Sequence, residues 1–142
     1  YMLGNLYEDK EKSEQAYRLA ARGEFNLSSA MYYNEQPPQM MYYAAKAIEA
    51  LGDKDEAKKR FNAFIEYANN HMNDEMKIDY FAVSLPDFLI FEGDLNKNNK
   101  VHCNLMAALG YLGIGDNDNA KKYAKQGLEL NQCHAELRDI VK

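Results

Sequence analysis

The run Ala45-Lys46-Ala47-Ile48-Glu49-Ala50-Leu51-Gly52-Asp53-Lys54-Asp55-Glu56-Ala57-Lys58-Lys59-Arg60-Phe61 decides how this chain is read. Counted from Ala45, Ile48 stands at +3, Gly52 at +7, Ala57 at +12 and Phe61 at +16. That spacing describes two helices joined by a tight turn. A small residue on each helix, Ala45 and Ala57, lets the two backbones come close where they cross, and the bulky +3 residue fills the adjoining space. Gly52 supplies the left-handed conformation that ends the first helix. Asp53 is a suitable N-cap for the second helix, and Glu56, three residues on, can complete a reciprocal capping arrangement. The same offsets recur from Ala108, with Tyr111 at +3, Gly115 at +7 and Ala120 at +12, Asp116 as the cap, and Tyr123 one step short of the aromatic position. A degenerate copy starts at Gly4, with Tyr7 at +3 and Ala16 at +12, but Glu11 stands where the turn glycine belongs.

The three origins are 41 and then 63 residues apart, so two inserts interrupt the pattern. The first, Asn26-Leu-Ser-Ser-Ala-Met-Tyr-Tyr-Asn-Glu-Gln-Pro-Pro, reads as an irregular connection whose Pro37-Pro38 open the next helix, where a missing N–H costs nothing. The second runs over 71–99. Within it Met76 to Val83 has helical potential, Ser84-Leu-Pro-Asp-Phe-Leu-Ile-Phe is broken by Pro86, and Gly93-Asp94-Leu95-Asn96-Lys97-Asn98-Asn99 reads as a turn-rich loop. Residues 135–141 predict a last short amphipathic helix.

Outside these patterns, composition narrows the function classes. At 142 residues the chain has the size of one domain, and a compact domain of that length buries about two thirds of the surface its unfolded chain exposes. The 46% hydrophobic and 27% charged residues fit a globular protein, not a disordered one. A net charge of −5 opposes nonspecific attraction to nucleic acid, and basic runs such as Lys58-Lys59-Arg60 and Lys121-Lys122 lie among acids as solvated helix faces. Cys103 and Cys133 make no disulfide framework; as free thiols they fit a reducing, cytoplasmic-type compartment. The most apolar stretch, Phe81 to Phe91, is too short and too interrupted to span a bilayer. Tyr1-Met2-Leu3-Gly4 reads as mid-helix, and the chain is expected to be cut from a longer polypeptide.

The repeated spacing resembles the tetratricopeptide repeat, closely over 41–69 and 101–130 and more loosely over 1–23. The departures are an absent closing proline, with Asn69 and Gln132 in its place, and origins spaced wider than the family's step of about 34 residues. The resemblance implies an all-α fold of antiparallel helix pairs in a short right-handed superhelix with two irregular inserts. Its parts would be a degenerate repeat at 1–23, a repeat at 38–70, an insert at 71–99, a repeat at 100–131 and a capping helix at 132–142. It also implies a non-catalytic scaffold that binds a protein or peptide, or another domain of the same longer chain, along the first helix of each pair. Carried over by position, the groove-facing residues are Asn5 and Glu8, then Tyr42, Lys46 and Glu49, then Leu105, Leu109 and Leu112. The two inserts are further similar to the C-terminal helical region of long bacterial proteins in which tetratricopeptide helices follow a β-rich domain of carbohydrate-active appearance. That likeness implies, as the alternative, an accessory domain that binds its neighbour or a glycan through tyrosines.

Other chemistries fare poorly. His102-Cys103 and Cys133-His134 hold four possible zinc ligands, but neighbours on a helix point about 100° apart and no short paired-ligand spacing supplies a clamp. Asp94-Leu-Asn96-Lys-Asn98 and Asp116-Asn-Asp118 begin like calcium loops, yet lack the sixth-position glycine and the twelfth-position glutamate, and read as turn and cap residues. No nucleophile elbow or phosphate-binding glycine loop is present, and paired carboxylates such as Glu8/Asp9 match solvated helix faces. No catalytic residue, metal or cofactor is therefore expected. The eleven tyrosines, with Tyr32-Tyr33 and Tyr42-Tyr43 around the first insert, suit both inter-helix packing and a binding surface. Leu105, Leu109 and Leu112 would make an apolar patch in water, and the expectation is that Phe88 and Phe91 of the second insert fold back to cover it.

Overall fold

The computed structural model describes residues 1–29, 36–76 and 94–142, and among these every regular element is an α-helix. The helices are α1 (Met2–Leu6), α2 (Lys10–Ala20), α3 (Pro38–Ala50), α4 (Lys54–His71), α5 (Leu95–Gly113), α6 (Asn117–Leu130) and α7 (Ala135–Val141). The chain is all-α. Consecutive helices pack on one another, and α5 sits at the centre, touching α3, α4, α6 and α7.

The two turns that the sequence marks with Gly-Asp are built alike. Gly52 and Gly115 take φ of 102° and 84°, the region that suits glycine. In the first turn the Gly52 N–H donates to the Glu49 carbonyl and the Asp53 N–H reaches back to Ile48. In the second, Gly115 donates to Leu112 and Asp116 to Tyr111. The last carbonyls of α3 and α5 are thereby satisfied. The same aspartates then open the following helices: Asp53 Oδ1 accepts from the Glu56 N–H at 3.0 Å, and Asp116 Oδ1 from the Asn119 N–H at 3.1 Å. One residue closes one helix and starts the next, which keeps each hairpin tight. The reciprocal arm expected of Glu56 does not form. With the Asp53 N–H already committed to Ile48, the Glu56 carboxylate turns to Arg60 Nε at 2.8 Å instead.

Burial follows the helical period. On α4 the buried residues Ala57, Phe61, Phe64 and Ala68 recur at i, i+4, i+7 and i+11, while Lys58, Lys59, Asn62 and Glu66 face water. On α6 the buried set is Ala120, Ala124 and Gly127. Ala45, Ala57, Ala108 and Ala120 are all essentially inaccessible, as the spacing requires of small residues at helix crossings. Helices α4 and α5 pack closely at Gly110, where an added Cβ would stand 2.7 Å from the Phe61 carbonyl oxygen. Helix α5 is buried from Val101 through Gly110, which is why its sequence carries no single apolar stripe.

Two boundaries differ from the expectation. Helix α5 begins at Leu95, so Leu95 to Asn99 is helical and not loop; Asp94 caps it through the Lys97 N–H at 3.0 Å. In the N-terminal copy the turn comes early, because Asp9 caps α2 by accepting from the N–H groups of Glu11 and Lys12. Tyr17 then takes the place expected of Ala16, packing its ring on Gly4. The first insert behaves as read where it is described: 24–29 is non-helical and Pro38 is the first residue of α3.

Candidate binding surface

The residues that the sequence marks for a partner lie on α1, the turn after it, α3 and α5, and they divide into open and covered. Asn5 and Glu8 are exposed, with Asn5 Oδ1 accepting from the Tyr17 hydroxyl at 2.7 Å. Lys46 and Glu49, one turn apart on α3, form an ion pair with about a quarter to a third of each side chain exposed. Tyr42 does not belong with them. It is only 9% exposed, its ring lies 5.7 Å from Phe61 and 5.4 Å from Tyr43, and burial first, then the neighbouring Tyr43, Tyr1 and Glu49, push its phenol up to about 12. The reason is register. Tyr42 precedes Ala45 by three residues and so shares the face that Ala45 turns inward.

Leu105 stands in the same relation to Ala108, and it and Leu109 are buried at 4% and 5% exposure, with Leu112 half-buried. The leucine stripe is core. The insert residues expected to cover it, Phe88 and Phe91, lie outside the described residues.

Tyrosines join the N-terminal hairpin to α3. Tyr1 stacks on Tyr43 at 5.8 Å and tilts against Tyr17 at 5.9 Å. Tyr111 and Tyr123 stack at 5.4 Å across the α5–α6 hairpin, so Tyr123 reaches its partner despite standing one residue short. At the far side of α3, Gln39 Nε2 donates to Glu136 Oε1 of α7 at 2.7 Å, a link of α3 to α7 that local sequence could not disclose.

The possible metal ligands are kept apart by their environments. Cys103 is fully buried on α5, bonded to Asn99 Oδ1 at 3.7 Å, and burial first and the charge of Asp74 second push its thiol up to about 11. Cys133 is exposed. His102 Nε2 meets the Ser28 carbonyl at 2.9 Å, and His134 Nδ1 lies 3.2 Å from Glu136. Among the described residues no group of three or more His, Cys, Asp or Glu is placed to hold a metal ion, and no helix is long and apolar enough to cross a membrane. A polar hollow of about 270 Å³ lies between the end of α4 and the start of α5, lined by Asn73, Asp74, Glu75, Asn96 and Lys100. Asp94 and Asp116 serve as helix caps.

No protein-family model matches the chain, and no solved structure matches it significantly. The functional reading therefore rests on the helices and the residues they present.

Proposed function

We propose that this chain is a tetratricopeptide-like scaffold, non-catalytic, that binds a peptide segment of another protein or of its own longer polypeptide along the open face of α3 and the adjoining N-terminal hairpin. The observation that carries the reading is the duplicated turn. Two hairpins, α3–α4 and α5–α6, share a left-handed glycine, an aspartate with the same double role, and buried alanines at matching offsets. The contact of α3 with α5 supports successive first helices lying side by side, as a short right-handed superhelix needs. Stacked repeats of this kind offer an extended surface, and the mixed face of Lys46 and Glu49, with Asn5 and Glu8 toward the N-terminal hairpin, suits charge and hydrogen-bond contacts to a peptide main chain and its polar side chains.

The test is selection of short random peptides displayed on phage against the intact chain. Enriched peptides should bind about tenfold more weakly, roughly 1.4 kcal/mol, to a Lys46→Ala/Glu49→Ala double variant. They should bind unchanged to Lys121→Ala/Lys122→Ala, which alters the exposed side of α6. A selection that enriches nothing above the bare support, or peptides indifferent to the α3 pair, would remove the proposal.

A further inference from the structure

Between α2 and α3 the chain leaves its own hairpin and lies against two later helices. The segment 24–29 is non-helical, and its burial alternates: Glu24 and Asn26 are exposed, while Phe25 and Leu27 pack on the core. The Phe25 ring stands edge-on to Phe64 of α4 at 5.6 Å, and the Arg60 guanidinium lies over it at 5.1 Å. Three residues on, the Ser28 carbonyl meets His102 Nε2 of α5 at 2.9 Å. A carbonyl can only accept, so His102 Nε2 carries the proton and donates. An aromatic anchor, an aliphatic one and a main-chain hydrogen bond are how groove-binding peptides are held. Here they seat a piece of the chain itself.

The fit is incomplete at one point. Arg60 Nη1 is buried and has no hydrogen-bond partner, beside the aromatic anchor. An orphaned guanidinium donor in that position is a cost that an occupant carrying an acceptor next to its aromatic residue would remove.

We propose that the groove between α4 and α5 is a recognition site for an extended peptide of the pattern aromatic–any–aliphatic with a hydrogen-bond acceptor beside the aromatic, and that Phe25-Asn26-Leu27-Ser28 is its resident, exchangeable occupant. The site is separate from the Lys46–Glu49 face of α3. The resident has the advantage of tethering, which acts as a high effective concentration; an incoming segment competes through the contact to Arg60 that the resident leaves unmade. Release of 24–29 on exchange would free the connection between the N-terminal hairpin and α3.

A capped, fluorescent peptide with the sequence of 23–29 tests this on the intact chain. It should bind a Phe25→Ala/Leu27→Ala variant at least about tenfold more tightly than the parent, whose groove is filled, and the same peptide with its phenylalanine replaced by alanine should bind neither. Equal affinity for parent and variant, or binding indifferent to the phenylalanine, overturns the proposal. Should the variant lose its helical circular dichroism, hydrogen exchange on the parent decides. Excess of the same peptide carrying Asn26→Asp, whose carboxylate offers Arg60 the missing acceptor beside the phenylalanine, should speed exchange of the 24–29 amides while α4 and α5 stay protected, and an unchanged pattern is the overturning result. Lys46→Ala/Glu49→Ala should leave all of these readings as they are, so this site and the α3 face stand or fall separately.

Discussion

Ala57 is 1% exposed on the inward face of α4, and a larger side chain there has no free volume to enter. Ala57→Leu should lower stability by about 1–3 kcal/mol through overpacking. Urea unfolding would show it as a lower midpoint at unchanged slope; an unmoved midpoint would mean that the crossing is not filled as described. Tyr42 and Lys46 show how finely such placement depends on position. They are four residues apart on one helix, yet the first is enclosed by aromatic rings and the second stays at the surface in an ion pair. Alanine at a crossing is legible because only a small residue fits. A tyrosine is not, because its apolar body and polar tip suit both settings.

At the scale of elements, the two Gly-Asp turns give a matched pair of experiments. An L-residue in the left-handed region costs roughly 1–2 kcal/mol, and nothing near Gly52 or Gly115 would obstruct an added Cβ. Gly52→Ala and Gly115→Ala should therefore each cost about that amount by backbone strain alone, measured by chemical denaturation. A large difference between the two would show that the turns do not share one conformation. Asp116 has its carboxyl held below the ordinary range by the side-chain and backbone hydrogen bonds of Asn119, as expected of a helix cap that accepts while ionised. Glu56 fits the sequence signature of a capping box and still pairs with Arg60, because a signature fixes which partners are near and not which one is free.

Across the whole molecule, cohesion is uneven. Helix α2 has no buried residue, while α5 has eleven. The N-terminal hairpin leaves Met2, Leu3, Leu6 and Leu19 well exposed and is joined to the rest through the tyrosine contacts, α2 on α3 and the 24–29 segment. Local opening should follow this order. Native-state hydrogen exchange is expected to show α2 amides exchanging by a low-energy opening and the middle of α5 only on global unfolding. Equal protection of the two helices would mean that the hairpin is held by more than these contacts.

Sequence alone determined the two hairpins, their glycine turns, the aspartates that open α4 and α6, the short terminal helix over Ala135–Val141, and the inward alanines. All of these are set by interactions within a few turns of chain, where residue type and spacing leave little choice. Tertiary structure decided what happens when distant segments meet. Phe25 rests on Phe64, Ser28 bonds to His102 across 74 residues, and Gln39 reaches Glu136 across 97. Leu105 and Leu109, which a positional reading turns outward, are enclosed. Such contacts depend on which faces the packed helices leave open, a property of the assembled stack that no local pattern of residues encodes.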